Sequence, residues 1–548
     1  MNSETHRRAL DEPAASAWAA LRSKAFFVLW SAGVISAIGT WIADVGAGWL
    51  MTSLTTSASQ VALVQVATTL PIFLLSLPAG AMADILDRRK VLLCTSLALT
   101  AVAIFIGTMT HRGAMTPNLL IASLTVGGIC TALAQPMQQS LTPLLVERQH
   151  LRSAVALNSL GFNIARAIGP AIAGLIITAF SVAINFFVDA ASNLAVLLAY
   201  LWWKGASKPA ADYQPESLLP AMRAGVRYAL HSKPLKRTLL RAMSFFIYAS
   251  ALWALLPIVA RRELGGGPGF YGVLLSCVGA GAVGGAILLP KLRTKIGTEG
   301  AMRAGMAIAT LALVALALVK NQLIAGIAMT AAGTAWIAVL TTANVAAQTA
   351  LPDWVRGRGL AIYLTAFYGS MAAGSLIWGH VADWAGVPAA LLLSAAVGAV
   401  SLALAFAAPL PTRELDLTPS LHWPEPAVSP SMRGKVQADR GPVLITIDYL
   451  VEQADVAAFL EALNEFRSER LRDGAFQWGV FEDADRPGRF VEHFMVASWL
   501  DHQRQHRRVS KADADLQARA VSYHRGAAPP KVEHFIAATS AQAEVHGP

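Results

Sequence analysis

Charge is scarce in this chain. Asp, Glu, Lys and Arg make up 14% of its 548 residues against 55% of apolar types, more apolar than the roughly 45 to 50% of ordinary soluble domains. One globular core has too little interior to hide that much apolar surface, so a purely soluble fold is excluded. Cysteine is also sparse: Cys94, Cys130 and Cys277 each lie inside an apolar run without ligand spacing, and neither a disulfide framework nor a cysteine zinc site is expected. The chain lacks a Gly-x-x-x-x-Gly-Lys-Ser/Thr loop and a His-Glu-x-x-His run, the signatures of phosphate-cradling and zincin chemistry. No small-residue cleavage site follows the polar stretch before residue 25, so the first apolar run is expected to stay in the mature chain.

What is present is a succession of long apolar runs. About 20 apolar helical residues cross a hydrocarbon layer about 30 Å thick, and lipid leaves no partner for an unpaired backbone group. Twelve runs fit: 26 to 50, 59 to 82, 91 to 110, 118 to 137, 153 to 178, 182 to 203, 239 to 260, 269 to 290, 302 to 319, 322 to 346, 358 to 381 and 387 to 409. The formal net charge is +10, but its placement argues against nucleic-acid binding. Residues 1 to 410 hold 28 Lys/Arg and 14 Asp/Glu, whereas the remainder holds 16 and 20. Alternate loops divide the cations: with the N-terminus inside, 23 fall on inner segments and four on outer ones, Arg112, Arg261, Arg262 and Lys320. Retention of cations on the cytoplasmic side then places both termini in the cytoplasm.

The longest connection between runs splits them six and six, a division typical of transporters. The expected segments are a cytoplasmic N-terminus at 1–25, a first half at 26–203, a connection at 204–238, a second half at 239–410, a linker at 411–440 and a soluble domain at 441–540. PLLVERQHLRSAVALNS and PDWVRGRGLAIYLTAFY occupy matching places in the two halves and share Pro, Val and Leu in register. Beyond the Pro- and Ser-rich linker the grammar changes. GPVLITIDYLV alternates as a strand, VAAFLEALNEFRSERLR has helical period, FQWGVFED and RFVEHFMVASW form a hairpin, a helix follows, and KVEHFIAA closes as a strand. The order βαββαβ predicts a ferredoxin-like α+β domain.

The loop LPAGAMADILDRRKVLL resembles the Gly-x-x-x-Asp-x-x-Gly-Arg-Lys signature of the major facilitator superfamily through Gly80, Asp84, Arg88 and Lys90, with Asp87 at the second glycine and Ile85 at a common arginine. ARAIGPAIAG resembles the Gly-Pro motif of proton-coupled exporters through Ala165, Gly169, Pro170, Ala173 and Gly174. The stretches IGTWIADVGAGWLMTSL and SAVALNSLGFNIARAIGPAIAG, together with the tail's RDGAFQWGVFED, are similar to the enterobactin-exporter-like, or transmembrane secretion effector, branch. The resemblance implies an all-α membrane protein of twelve helices in two sixes, carrying the ferredoxin-like tail. It also implies a proton-coupled exporter in the bacterial inner membrane that works by alternating access, with Asp84 and Arg88 at a cytoplasmic gate.

Ionisable residues inside spans cost about 2.5 to 3.5 kcal/mol each on insertion scales, so each demands an account. Arg166, Asp44 and Asp189 are the clear cases. Asp44 with Arg166 is the preferred coupling pair, because protonating the acid would free the cation for a solute anion; a permanent buried pair is the bland alternative. Asp189 reads as structural, satisfying Asn185, Asn193 or Arg166. Asn163, Asn344 and Gln348 add uncharged polarity, and Trp41, Trp253, Tyr248 and Tyr368 add aromatic surface, a mixture suited to a partly apolar solute such as a siderophore or drug; packing is the competing account of each. In the tail, His502 and His506 are four apart, a spacing that permits metal binding, but Arg507 and Arg508 sit beside them and no metal or cofactor is expected. The tail is expected to serve regulation, ligand sensing or self-association rather than catalysis. The chain's partners are then the solute, protons and membrane lipid, with no nucleic acid. The alternative is a membrane-anchored sensor or enzyme whose tail binds or oxidises a small molecule.

Overall fold

The computed structural model describes residues 18–203, 218–407, 409, 416–420 and 440–537. Helices dominate it up to residue 407: α1 Lys24–Leu54, α2 Ala58–Ile85, α3 Arg88–His111, α4 Pro117–Leu145, α5 Leu151–Ala179, α6 Val182–Trp202, α7 Leu218–His231, α8 Lys233–Ile258, α9 Pro268–Leu318, α10 Gln322–Thr349, α11 Arg356–Ala385 and α12 Val387–Ala407. Eleven of these, all but α7, are long and apolar enough to cross a membrane. Helix α9 runs for 51 residues, but Gly297 inside it has φ 73°, a left-handed conformation that breaks the helical path and suits glycine alone among ordinary residues. Gly297 therefore separates two helices, which carry the runs expected at 269 to 290 and 302 to 319, so the eleven long apolar elements among the described residues hold the twelve expected spans.

Polar residues at the helix starts satisfy the backbone donors that would otherwise be orphaned. The hydroxyls of Ser23, Ser57 and Thr116 accept from the backbone N–H of Phe26, Gln60 and Leu119, and Asp87 accepts from Arg89 and Lys90. Small residues then bring the helices together. A Cβ on Gly281 would lie 1.9 Å from the Thr330 carbonyl, and one on Gly333 would lie 2.0 Å from that of Val278. Helices α9 and α10 thus touch backbone to backbone, the packing that dispersion rather than the hydrophobic effect rewards in lipid.

The chain divides into two compact units. The first, Met1–Gln214 with Leu240–Asn344 and Tyr363–Pro409, is the helical bundle. Several of its buried polar groups are paired: the Asn185 amide nitrogen on α6 donates to the carbonyls of Ile42 and Ala173, and Glu299 takes Arg241 and Arg303 at 3.0 Å each while both guanidiniums reach the Ala405 carbonyl. The second, Pro215–Leu239 with Val345–Ile362 and Leu410–Pro548, joins the tail to α7 and to the segment around the α10–α11 turn. Within it the Tyr228 hydroxyl donates to the Ala350 carbonyl at 2.9 Å, Arg227 donates to the Arg472 carbonyl, and Arg508 stacks on Trp354 at 4.2 Å.

The tail follows the expected order: β1 Val443–Leu450, α13 Val456–Arg472, β2 Gln477–Glu482, β3 Arg489–Val496, α14 Trp499–Arg508, α15 Lys511–Val521 and β4 Lys531–Ile536. The second helix expected from the sequence is two, because Ser510 caps α15 in a reciprocal box with Asp513. The sheet is antiparallel in the order β2-β3-β1-β4. Alternation on β1 turns Val443, Ile445, Ile447 and Tyr449 onto the helices, where Phe459, Leu463, Phe490 and Phe494 complete the core. Most of the expected linker at 411–440 lies outside the described residues, but 416–420 pairs with the tail through Pro419 and Ser510.

Two buried ionic clusters fix the tail. Glu492 accepts from Arg470, Trp478 and Tyr449 at 3.0 to 3.3 Å. Arg472 is held by both oxygens of Asp473, by Asp513 at 2.8 Å and by Glu469. Burial alone would lower the Arg472 pKa, but these three acids raise it well above its ordinary value. Burial raises the Glu469 carboxyl to about 7 despite Arg472. Removing one partner of such a cluster strands the rest in a low-dielectric site. In the full-length protein, Arg472→Met is expected to destabilise the tail by about 3–5 kcal/mol, read as accelerated amide exchange in α13 and α15. Arg489→Ala, at a surface pair with Asp448 and Asp483, should leave that exchange nearly unchanged.

Candidate functional site

The rare charges of the bundle lie on α1, α5 and α6. Arg166 is 7% exposed on α5, its guanidinium carbon 5.8 Å from the Trp253 ring centroid on α8, and its Nε has no hydrogen-bond partner. Trp253 opens an aromatic run through Trp336, Phe246, Phe367 and Tyr368, with successive centroids 4.5 to 5.4 Å apart. Asp44 is exposed and lies within Coulombic reach of Asp189 on α6 and Tyr271 on α9. Among the described residues no ion pair joins Asp44 to Arg166. The expected pair is therefore replaced by two separate features: an acid beside an acid, and a cation on an aromatic face. Asn193 donates to Asp189 at 3.0 Å, one of the partners anticipated for that residue, whereas Asn185 turns to backbone carbonyls instead.

Of the uncharged candidates, Asn163 donates to the Ser159 carbonyl one turn back, Asn344 is half-buried and Gln348 exposed. Tyr248 is fully buried and bonded to the Met306 carbonyl, which spends its hydroxyl on packing. The Gly-Pro motif of α5 is a crossing point. A Cβ on Gly169 would lie 2.6 Å from that of Trp41 on α1, and one on Gly174 would lie 3.0 to 3.2 Å from the backbone of Pro268 and Gly269 on α9. Ala165 and Ala173 are fully buried on the same helix, and Pro170 offers its carbonyl to the face of Gly272. The motif's small residues thus join the first six helices to the second six.

That junction continues to one end of the bundle in a row of hydrogen bonds absent from the sequence-based expectations. Asp383 at the end of α11 accepts from the Ser57 hydroxyl at 2.8 Å and from the N–H groups of Ala58 and Ser59 at 2.5 and 3.1 Å, covering the N-terminus of α2. A carboxylate there meets both unpaired donors and the positive end of the helix dipole. Arg261 donates to the hydroxyls of Thr52 and Ser53, Arg262 donates to the carbonyls of Thr55 and Thr56, and Lys320 pairs with Glu263. Arg261 and Arg262 were the signal: cations that break the loop bias need a local partner. At the opposite, basic end, Gly80 is half-buried, Lys90 is exposed and Arg89 ties α3 to α6, donating to the carbonyls of Tyr200 and Leu201 at 3.1 and 2.9 Å. The Asp84 side chain lies outside the described residues. A shallow apolar groove between α3 and α4, lined by Ala101, Phe105, Ala122 and Val126, carries no ionisable anchor.

In the tail, His502 and His506 on α14 meet His534 on β4, with ring centroids 4.7 Å apart in both pairs. Burial, then the neighbouring His506 and His534, lower the His502 pKa to about 3, so that ring is neutral at physiological pH.

A family model described as transmembrane secretion effector matches residues 15–542. The chain belongs to that family, in the major facilitator superfamily. Curated relatives include the staphyloferrin A transporter of Staphylococcus aureus, 26% identical over 67% of this chain and 90% of that protein. The multidrug efflux pump Tap of Mycobacterium tuberculosis is 25% identical over 74% and 98%, and the enterobactin exporter EntS of Shigella boydii is 30% identical over 49% and 64%. Among solved structures, a bacterial homologue of the lysosomal transporter Spinster in an inward-facing, unoccupied conformation aligns with TM-score 0.57 at 14% identity, over 70% of this chain and 96% of that one. The nucleoside transporter NupG aligns with TM-score 0.55 at 12% identity, over 70% and 98%. The protein is a multi-pass membrane transporter, not an enzyme, and the hydrogen-bonded end described above is a contact between its two six-helix halves.

Asp383→Ala removes a charged acceptor serving three donors, a loss of about 1.5 to 3 kcal/mol for a hydrogen bond to a charged group. Because about 1.4 kcal/mol is a tenfold shift in an equilibrium, opening of this end should rise about tenfold or more. The check is the rate at which a membrane-impermeant maleimide labels Ala58→Cys, a position 3% exposed at this end, in a background without native cysteines, with and without Asp383→Ala.

Proposed function

We propose that this transporter is a proton-coupled exporter of a small, partly apolar solute, siderophore-like or drug-like, working by alternating access. The observation that carries the reading is that Asp44 on α1 and Asp189 on α6 lie within Coulombic reach of one another. Two carboxylates in Coulombic reach repel when both are ionised, and one proton relieves that repulsion. A conformational change that alters their separation then couples to proton binding, the differential interaction a switch requires. Arg166 on the face of Trp253, followed by the aromatic run, suits a solute with an anionic or polar edge and a broad apolar body. The named substrates of the relatives, siderophores and drugs, agree with that surface.

The excess of Lys and Arg at the basic end supports a cytoplasmic placement for it, with both termini, in a bacterial inner membrane. The end latched by Asp383, Arg261 and Arg262 is then the outer face, closed in this conformation, and Asp84 and Arg88 belong to the cytoplasmic gate that forms when it opens. Gly80 and Lys90 complete that loop. Asn163, Asn344 and Gln348 serve as secondary polar contacts along the solute path. Self-association of the tail falls to the open face of its sheet, where Phe481 and Phe535 are 64% and 51% exposed.

Flux in proteoliposomes tests the reading. A panel of siderophores, lipophilic dyes and sugars should yield a solute whose movement follows an imposed proton gradient. Asp44→Asn should lower gradient-driven flux at least tenfold while solute exchange at equal pH persists. Driven flux unaltered in both Asp44→Asn and Asp189→Asn would remove the acid pair from the mechanism.

A further inference from the structure

The tail carries a cluster that the transport reading does not use. His502 and His506 occupy successive turns of α14 and so share a face. His534 reaches the same point from β4, because its register opposite Ile445 turns it to the helix side of the sheet. One donor atom from each imidazole lies within 4.8 Å of the others. His502 is 2% exposed, and neither of its ring nitrogens has a hydrogen-bond partner of acceptable geometry; the buried Nε2 of His534 is also unpartnered. Beside them Gln505, 1% exposed, lies in side-chain reach of His502, and neither its amide oxygen nor its amide nitrogen has a partner of good hydrogen-bond geometry. Native folds satisfy nearly all such groups, so several together at one point ask for a common partner.

The geometry points to a divalent transition-metal site formed by His502, His506 and His534. The donor set is three imidazole nitrogens without thiolate, which suits Zn²⁺, Co²⁺, Ni²⁺ or Cu²⁺ rather than the oxygen-seeking Mg²⁺ or Ca²⁺. Zinc binds imidazole nitrogen at about 2.0 to 2.1 Å, which sets tetrahedral donors about 3.3 Å apart. His506, half-buried on the last turn of α14, is the ring that swings inward to close that gap. The Gln505 carboxamide stands where a fourth ligand or its hydrogen-bond partner belongs. Arg470 is the cation in Coulombic reach of His502, and its charge is offset by Glu492 at 3.2 Å. Trp499 stacks near both His502 and His534, with centroids 5.6 and 6.0 Å away, and shields the site from water. A bound ion ties α14 to β4, and α14 is the helix that carries Arg508 onto Trp354 in the α10–α11 segment. Metal occupancy therefore orders the part of the tail that meets a loop between transporter helices.

The test uses full-length protein in detergent, purified without a histidine tag and stripped with chelator. Titration with Zn²⁺ should give one ion per chain, Co²⁺ should develop ligand-field absorption, and Zn²⁺ should slow amide exchange across α14. His506→Ala and His534→Gln should each weaken Zn²⁺ binding at least tenfold and abolish the Co²⁺ spectrum, while His493→Ala, on the open face of the sheet, should bind as the unaltered protein does. Unchanged exchange in β1 and α13 shows that the variants remain folded; His506, partly exposed, is the substitution least able to disturb the core. No stoichiometric binding by the unaltered protein, equal binding by both variants, or binding that leaves α14 exchange unchanged would each overturn the site.

Discussion

The inability of hydrocarbon to hydrogen-bond governs most of this protein. It forces the described membrane segments into helices that satisfy their own backbone, and it favours polar side chains that find a partner inside the bundle. Asn185 serves two carbonyls, and Glu299 serves two arginines that also share the Ala405 carbonyl. With no hydrophobic drive between helices in lipid, close packing rests on small residues. Gly281 against Thr330 and Gly333 against Val278 show how near the backbones come.

The same constraint separates permanent joints from reversible ones. Where Asn185 or Tyr248 donates to a carbonyl inside one six-helix half, breaking the bond leaves a buried polar atom in lipid or core, and the joint is fixed. The contacts between halves differ in kind. At the α5–α9 seam they are backbone approaches of Gly174, Gly269 and Gly272, which slide without stranding a charge. At the latched end they are hydrogen bonds accepted by Asp383 and donated by Arg261 and Arg262, half-exposed or exposed groups that water can also serve. A transporter that rocks needs joints of the second sort between joints of the first.

The tail obeys a different solvent. Water on its outside permits a small hydrophobic core, and its specificity rests on the buried charges of Glu492 and Arg472, each with several partners. The cluster of His502, His506 and His534 departs from that economy, since both ring nitrogens of His502 and the Nε2 of His534 are buried without a hydrogen-bond partner. Such departures from local consistency mark functional sites more often than structural ones.

Much of the architecture was legible from the sequence because its signals are one-dimensional. Span length is set by bilayer thickness, strand alternation by the pleat, and loop bias by charge, and none needs a neighbour in space; hence the apolar runs, the βαββαβ tail and the loop and Gly-Pro motifs could be read directly. Sequence also singled out Asp44, Arg166 and Asp189 as costly charges. Which of them meet was beyond it, since pairing depends on helix rotation, and a turn of 100° per residue moves a side chain from one neighbour to another. Only the tertiary structure set Asp44 toward Asp189 and Arg166 on Trp253, brought Asp383 to the start of α2, and carried His534 across the sheet to His502 and His506.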